Sequence, residues 1–356
     1  MKINGIDLLP GCAEYPRNQW YVAAWAHEVS HEQMLTRWIC GDPVVLYRTE
    51  AGQPAALFDR CPHRGMKFSS GTGKVVGDTL QCGYHGIRFD AAGRCAEVPS
   101  GGAIPAKMAV HSYPLLERSH WLWIWMGDPA LADPALIPDH QMLGLQDSLL
   151  HSEPGIHLEV KANYLLPLEN LVDATHITYL HHGLIDNGNM AAHPYRMEVE
   201  GPRVSMVREF SNETLPVMLQ KAMSLKGSQV NRTLTLTSWA PHLCLIAQRF
   251  TDLADPGSLP QTIHLIVALT PGGARHTHQF GLFANSFKST HPGRLDDLRN
   301  LLIEDVIAIE EIQQVFDSLG RERAPEVSVR SDEGAIRTRR LIADMVARER
   351  GLEQAA

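Results

Sequence analysis

No apolar run in the 356-residue chain approaches the eighteen or so residues that span a bilayer. The first residues, Met1-Lys2-Ile3-Asn4-Gly5-Ile6-Asp7, lack the basic and then apolar regions of a secretory leader, so a cytoplasmic location is expected. Basic surplus is missing too. The formal charge of −8 argues against a nucleic-acid or anionic-membrane partner, although it leaves room for a local basic patch. Cysteine is sparse, and Cys12, Cys40, Cys95 and Cys244 show no pairing spacing, which fits buried small hydrophobes in a reducing compartment better than a disulfide framework. No internal repeat or low-complexity segment is present. The run Gly71-Thr72-Gly73-Lys74 lacks both the first glycine and the Ser or Thr after the Lys that a phosphate loop needs, and it reads as a hairpin turn.

What the chain does contain is Cys61-Pro62-His63 and, after eighteen intervening residues, Cys82-Gly83-Tyr84-His85. Two thiolate and two imidazole donors are thereby set at fixed separations. Zinc accepts the same donors at tetrahedral corners, but known zinc fingers pair Cys with Cys and His with His. Alternation of Cys, His, Cys, His suits a two-iron cluster gripped by two similar loops. The flanking runs, Arg60-Cys61-Pro62-His63-Arg64-Gly65 and Gln81-Cys82-Gly83-Tyr84-His85-Gly86, resemble the Rieske oxygenases. In a Rieske [2Fe-2S] centre two Cys hold one iron and two His the other, which raises the reduction potential to about −150 to +300 mV. The resemblance therefore assigns Cys61, His63, Cys82 and His85 to a cluster that moves single electrons. The spacer is slightly longer than the family pattern, and Gly71, Gly73 and Gly77 suggest a lengthened turn that absorbs the excess.

Length and a hydrophobic content of 44% allow two domains with sizeable cores. From about residue 37 to 125 the chain reads as short strands, including 43–48, 56–59 and 86–90. The alternating Trp121, Trp123 and Trp125 with Leu122, Ile124 and Met126 fit a strand buried on both faces. The proline-bearing stretch 128–139 reads as a linker or surface crossing. A helical patch near 165–179, strand-like runs at 203–210, 232–239, 243–250, 262–269 and 277–287, and a closing helix over about 295–319 follow. The expected fold is α+β, with a β-rich Rieske domain over 1–150 and a catalytic domain over 151–356 in which helices cover one face of an antiparallel sheet. By the resemblance, that second domain has the helix-grip (START-like) fold.

The segment from Glu169 to His182 holds Glu169, Asp173, His176, His181 and His182. Asp173 and His176, three apart, share a helix face. His176 and His181, five apart, lie about 140° from alignment, so both reach one ion only if the helix ends or distorts between them. Otherwise the segment is a polar helix end with solvated histidines. Its pattern of Asn or Glu, then Asp-x2-His-x4-His, again resembles the Rieske oxygenases. That likeness implies that His176 and His181 bind a mononuclear Fe(II), with His182 a neighbour. A carboxylate would complete the facial triad. On the closing helix Asp305 falls inside the stripe of Leu301, Leu302, Ala308, Ile309, Ile312 and Phe316, where an unpaired charge is costly. Glu304, Glu310 and Glu311 fall nearer the polar side, and Asp305 is the expected third ligand.

The resemblance extends from Asn18-Gln19-Trp20-Tyr21-Val22-Ala23-Ala24 to the closing helix, and it is nearest to the group that includes vanillate O-demethylase and dicamba monooxygenase. It implies a terminal oxygenase that takes electrons from a flavin and iron-sulfur reductase and uses dioxygen to demethylate or hydroxylate a small aromatic acid. It also implies that Asp173 links His176 to His85 of a neighbouring copy, with Asn170 in support, in a head-to-tail homotrimer. His264, His278 and Arg249 fall where family pockets are built and are candidates to meet a substrate carboxylate, the alternative being that each is a satisfied structural residue. Two alternatives remain beside this reading: a ring-hydroxylating dioxygenase, and a Rieske electron carrier without oxygenase activity. The second histidine motif speaks against the carrier.

Overall fold

The computed structural model describes residues 2–3, 6–7, 15–145, 150–223, 225–287, 293–319, 323 and 325–351. Two compact units emerge: 17–137 with 270–273, and 1–16 with 138–269 and 274–356. The expected boundary at 150 thus compares with an observed change of unit at 138, and residues 1–16 group with the larger unit. That terminus carries β1 (Lys2–Ile3) and β2 (Ile6–Asp7), a short antiparallel pair.

The smaller unit is built from β3 (Trp20–Trp25), β4 (Leu35–Ile39), β5 (Asp42–Arg48), β6 (Pro54–Phe58), β7 (Lys74–Val76), β8 (Thr79–Gln81), β9 (Arg88–Phe89), β10 (Cys95–Glu97), β11 (Leu115–Arg118) and β12 (Trp121–Trp125). They form three small sheets, ordered β11-β12-β3, β4-β5-β6 and β10-β9-β8-β7. Every residue of β12 is buried, as its alternating tryptophans require. Stretch 128–139 contains two single 3-10 turns, Pro129–Leu131 and Pro134–Leu136. Each has an aspartate, Asp128 or Asp133, accepting a backbone N–H from two residues on.

The larger unit holds β13 (His151–Val160), α1 (Leu165–Val172), α2 (Ile177–Leu180), β14 (Arg196–Glu200), β15 (Arg203–Thr214), α3 (Val217–Ala222), β16 (Gln229–Trp239), β17 (Leu243–Asp252), β18 (Gln261–Gly273), β19 (His276–Asn285), α4 (Arg294–Leu319) and α5 (Glu333–Glu349). Seven strands line up as β13-β19-β18-β17-β16-β15-β14, so six run as a meander and β13 pairs onto its last strand. Helices α1, α4 and α5 bury Leu165, Leu168, Leu298, Leu302 and Ile342 with Leu265 and Val267 of the sheet. An area of this size holds the helices in place because apolar burial contributes about 25 cal/mol per Å². None of the described helices is long and apolar enough to cross a membrane.

Among the elements that the sequence reading did not include are β13 and α5. Pro154 and Gly155 argue against a strand, yet β13 contains both. It tolerates them because it is an edge strand whose register shifts between Pro154 and Ile156. The chain also does not close on α4. α5 follows, with a buried stripe of mostly small residues, Ala335, Thr338, Ile342, Ala343, Val346 and Ala347, which gives a weak apolar signal.

Candidate metal centres

In the smaller unit the two cysteine loops repeat one backbone pattern. Gly65 N donates to Cys61 O at 2.9 Å and Cys61 N to Met66 O at 2.8 Å; Gly86 N donates to Cys82 O at 3.0 Å and Cys82 N to Ile87 O at 2.8 Å. Both turns need glycine, since φ is +80° at Gly65 and +72° at Gly86. Cys61 and Cys82 are buried in a core with Phe68, Phe89 and Leu80. Burial, with Cys82 alongside, pushes the Cys61 thiol up to about 11. His63 and His85 lie at the surface with Nδ1 atoms 3.1 Å apart. Two thiols on the buried side and two imidazole nitrogens facing each other on the outer side fit a two-iron cluster with one sulfur-held and one nitrogen-held iron. A metal that takes the proton's place would hold both sulfurs as thiolates in this buried setting.

In the larger unit, α1 stops at Val172. Asp173 takes an extended conformation, and its carboxylate accepts Thr175 N at 2.8 Å and Thr175 Oγ1 at 2.7 Å, which turns the chain. His176 then opens the one-turn helix α2 and His181 closes it. The break demanded by the five-residue spacing is therefore real, and it lies on both sides of α2. From α4, Asp305 Oδ1 comes within 3.5 Å of His176 Nε2 and 3.0 Å of His181 Nε2. Asn170 Nδ2 donates to the same oxygen at 3.1 Å. Glu304 Oε2 meets His181 Nδ1 at 2.7 Å, and with the proton held at Nδ1 the Nε2 lone pair would be available to an ion shared with Asp305. Burial lowers the pKa of His176 against the opposing pull of Asp305, while at His181 burial is outweighed by Asp305 and Glu304, which raise it. His176 Nδ1 is buried without a hydrogen-bond partner. A carboxylate at 5% exposure beside two imidazoles is the donor set of a facial triad. The stripe around it runs through Leu298, Leu301, Leu302, Ile309 and buried Gln313, whereas Ile312 is exposed. His182 turns away to the backbone of Thr178.

Next to the triad lies a cavity of about 150 Å³, the size that in an engineered apolar core takes one benzene ring. Its walls come from alternate residues of the sheet: Leu234 and Leu236, Ile246 and Gln248, Ile263 and Leu265, Phe283 and Asn285. Period-two alternation puts His264 and Arg249 on the opposite face. His264 packs on Gly144, Arg249 is exposed, and His278 sits beside His157, so none of these three lines the cavity. Arg232 does line it, a residue the sequence reading missed because an arginine in an alternating strand carries no signal of burial. Its guanidinium donates to Glu213 at 2.7 Å and stacks 4.4 Å over Phe210. Its Nε is buried with no partner.

Residues 19–114 match the Rieske [2Fe-2S] domain and 160–348 the vanillate O-demethylase oxygenase C-terminal domain. The chain is 45% identical over 168 residues to the dicamba O-demethylase oxygenase component of Stenotrophomonas maltophilia, a match spanning 47% of this chain and 48% of that protein. Against the vanillate O-demethylase oxygenase subunit of Pseudomonas sp. (strain HR199 / DSM 7063), identity is 28% over 359 residues, 96% of this chain and 98% of that one. The first curated relatives are thus matched over about half their length. The crystal structure of dicamba monooxygenase bound to 3,6-dichlorosalicylic acid superposes with a TM-score of 0.84 at 30% identity, covering 94% of this chain and 98% of that one.

Proposed function

The chain belongs to the Rieske oxygenases of the vanillate O-demethylase family, and we infer that it is the terminal oxygenase of a multicomponent system that oxidises a small aromatic compound. The observation that carries this reading is the meeting of His176, His181 and Asp305 at the edge of an apolar cavity sized for one ring. An Fe(II) in such a triad, supplied with electrons through a Rieske cluster, activates dioxygen.

The chain's own residues hold and shield that chemistry. Glu304 keeps the His181 proton on Nδ1, and Asn170 fixes the free rotation of Asp305. Leu234, Leu236, Ile246 and Leu265 exclude water and set the ring's position, which is the main contribution a protein makes to a reaction of this kind. Arg232 and Gln248 offer donors to the polar group of the substrate, a carboxylate in our reading. Leu234 sits two residues along β16 from Arg232, roughly 7 Å, about the span of one substituted ring. Asp173, with its carboxylate pinned by Thr175, carries the electron from His85 of a neighbouring copy to His176. That route requires a head-to-tail ring of subunits, for which we propose a homotrimer, fed by a flavin and iron-sulfur reductase.

O-demethylation is the favoured outcome, with hydroxylation of a methyl or ring carbon as the variant. The test is incubation with NADH, a competent reductase and a panel of methoxybenzoates, methylated arenes and unsubstituted aromatic acids. Equimolar formaldehyde and phenol establish demethylation. A cis-diol product moves the enzyme to the ring dioxygenases, and turnover confined to steroids or alkyl amines rules out the aromatic reading.

A further inference from the structure

Among the described residues, histidine and carboxylate donors converge at one place besides the iron triad. It lies on β13 and β19, paired antiparallel with Glu159 opposite His278. Residues two apart on a strand share a face, so His157 and Glu159 of one strand stand beside His276 and His278 of the other. Ligand atoms of Glu159, His276 and His278 all lie within 4.8 Å of one another. His276 Nε2 is 3.9 Å from Glu159 Oε2, and His157 Nε2 is 3.3 Å from His278 Nδ1.

We propose that Glu159, His276 and His278 bind a divalent transition-metal ion of the zinc type, with His157 fixing the ring of His278. Four considerations support the site. Zinc–nitrogen bonds of about 2.0–2.1 Å place tetrahedral donors roughly 3.4 Å apart, so the donors need only small side-chain rotations to close on an ion. The iron triad shows comparable spacing, 3.5 and 3.0 Å from Asp305 to its two histidines. At 3.9 Å the His276–Glu159 contact is too long to be a hydrogen bond, so a bond between these two does not account for their approach. Finally, burial differs across the site: His278 is 2% exposed, whereas the Glu159 and His276 side chains are 66% and 34% exposed. That arrangement gives an ion a fixed floor, an open approach and room for a water as fourth ligand. The ion would tie the edge strand β13 to its only sheet neighbour, just ahead of the helix that leads to His176.

The site makes no use of the oxygenase reading, and neither does its test. Iron-loaded protein is incubated with zinc chloride, desalted and analysed for zinc, iron and the visible spectrum. Wild type should retain one zinc per chain with iron unchanged, and zinc should raise its thermal midpoint by a few degrees. His276→Asn at a half-buried position and Glu159→Gln at an exposed one should each lower retained zinc to background and abolish the midpoint shift while keeping iron and spectrum. No retained zinc in wild type overturns the proposal. So does equal retention in both variants, or zinc taken up only in proportion to iron lost.

Discussion

Glu304 and Asp305 are adjacent carboxylates that touch the same histidine from opposite nitrogens, and substitution separates their roles. Asp305 Oδ1 faces His181 Nε2 at 3.0 Å and His176 Nε2 at 3.5 Å, which places it to share an ion with them. Glu304 Oε2 meets His181 Nδ1 at 2.7 Å and reaches no ion; it fixes the tautomer. A partner of that kind is worth about 10- to 100-fold in metal affinity, or roughly 1.4–2.7 kcal/mol. The Glu304 side chain is 40% exposed, so water can replace part of its hold and the lower end applies. Glu304→Gln, which keeps an acceptor oxygen but loses the charge, should weaken mononuclear iron binding about 10-fold, whereas Asp305→Ala should remove that iron entirely. Each variant is dialysed against a graded series of a chelator, iron is counted per chain, and the reduced cluster is followed by EPR as an internal control that stays constant. Iron lost from Glu304→Ala as completely as from Asp305→Ala would refute the division of roles, as would an Asp305→Ala protein that keeps its iron.

Asp173→Asn should retain both metal centres yet leave the reduced cluster unoxidised when substrate and oxygen are added, seen by stopped-flow absorbance; wild-type cluster oxidation in the variant eliminates the relay. Arg232→Gln should raise KM for carboxylated substrates about 10- to 100-fold. Because it also leaves Glu213 buried without its cation, the Arg232→Gln, Glu213→Gln pair should restore folding but not affinity. Burial holds His242 at about 3, far below its ordinary 6.5. Between those values the unfolded chain takes up a proton that the folded one refuses, so this contribution is complete above pH 6.5 and is lost as pH falls toward 3. It amounts to a few kcal/mol on the order-of-magnitude scale; a urea midpoint that falls no more steeply with acid in wild type than in His242→Gln would show that the residue does not titrate this way.

Local signals with steric or coordination causes were legible in the sequence. The doubled loop at Cys61 and Cys82, the break around α2, the doubly buried β12 and the burial of Asp305 each follow from spacing or periodicity and appear in the structure. Features decided by distant partners were not. Pro154 disguises β13 until β19 is known to be its only neighbour. α5 has too little apolar bulk to announce itself before the sheet it covers is assembled. Arg232 is read as exposed until Glu213, nineteen residues away on β15, turns out to face it. His264 and Arg249 failed as cavity residues by a single step of strand register, the error to which period-two reasoning is most prone.

The candidate ion-binding side chains flank α2 (His176 and His181) and sit on α4 (Asp305), while one wall of the cavity comes from every second residue of four consecutive strands. Tool and that wall of the template are therefore separate parts. Exchanging Leu234 or Ile263, which lie outside the cluster on which the helices rest, should reshape what the cavity accepts with the least disturbance of the triad, whereas Leu265 supports those helices together with Val267 and Cys244. A lineage can change its diet one strand position at a time while its chemistry is inherited intact. A library confined to Leu234 and Ile263 should yield altered substrate ranges on an unaltered iron centre.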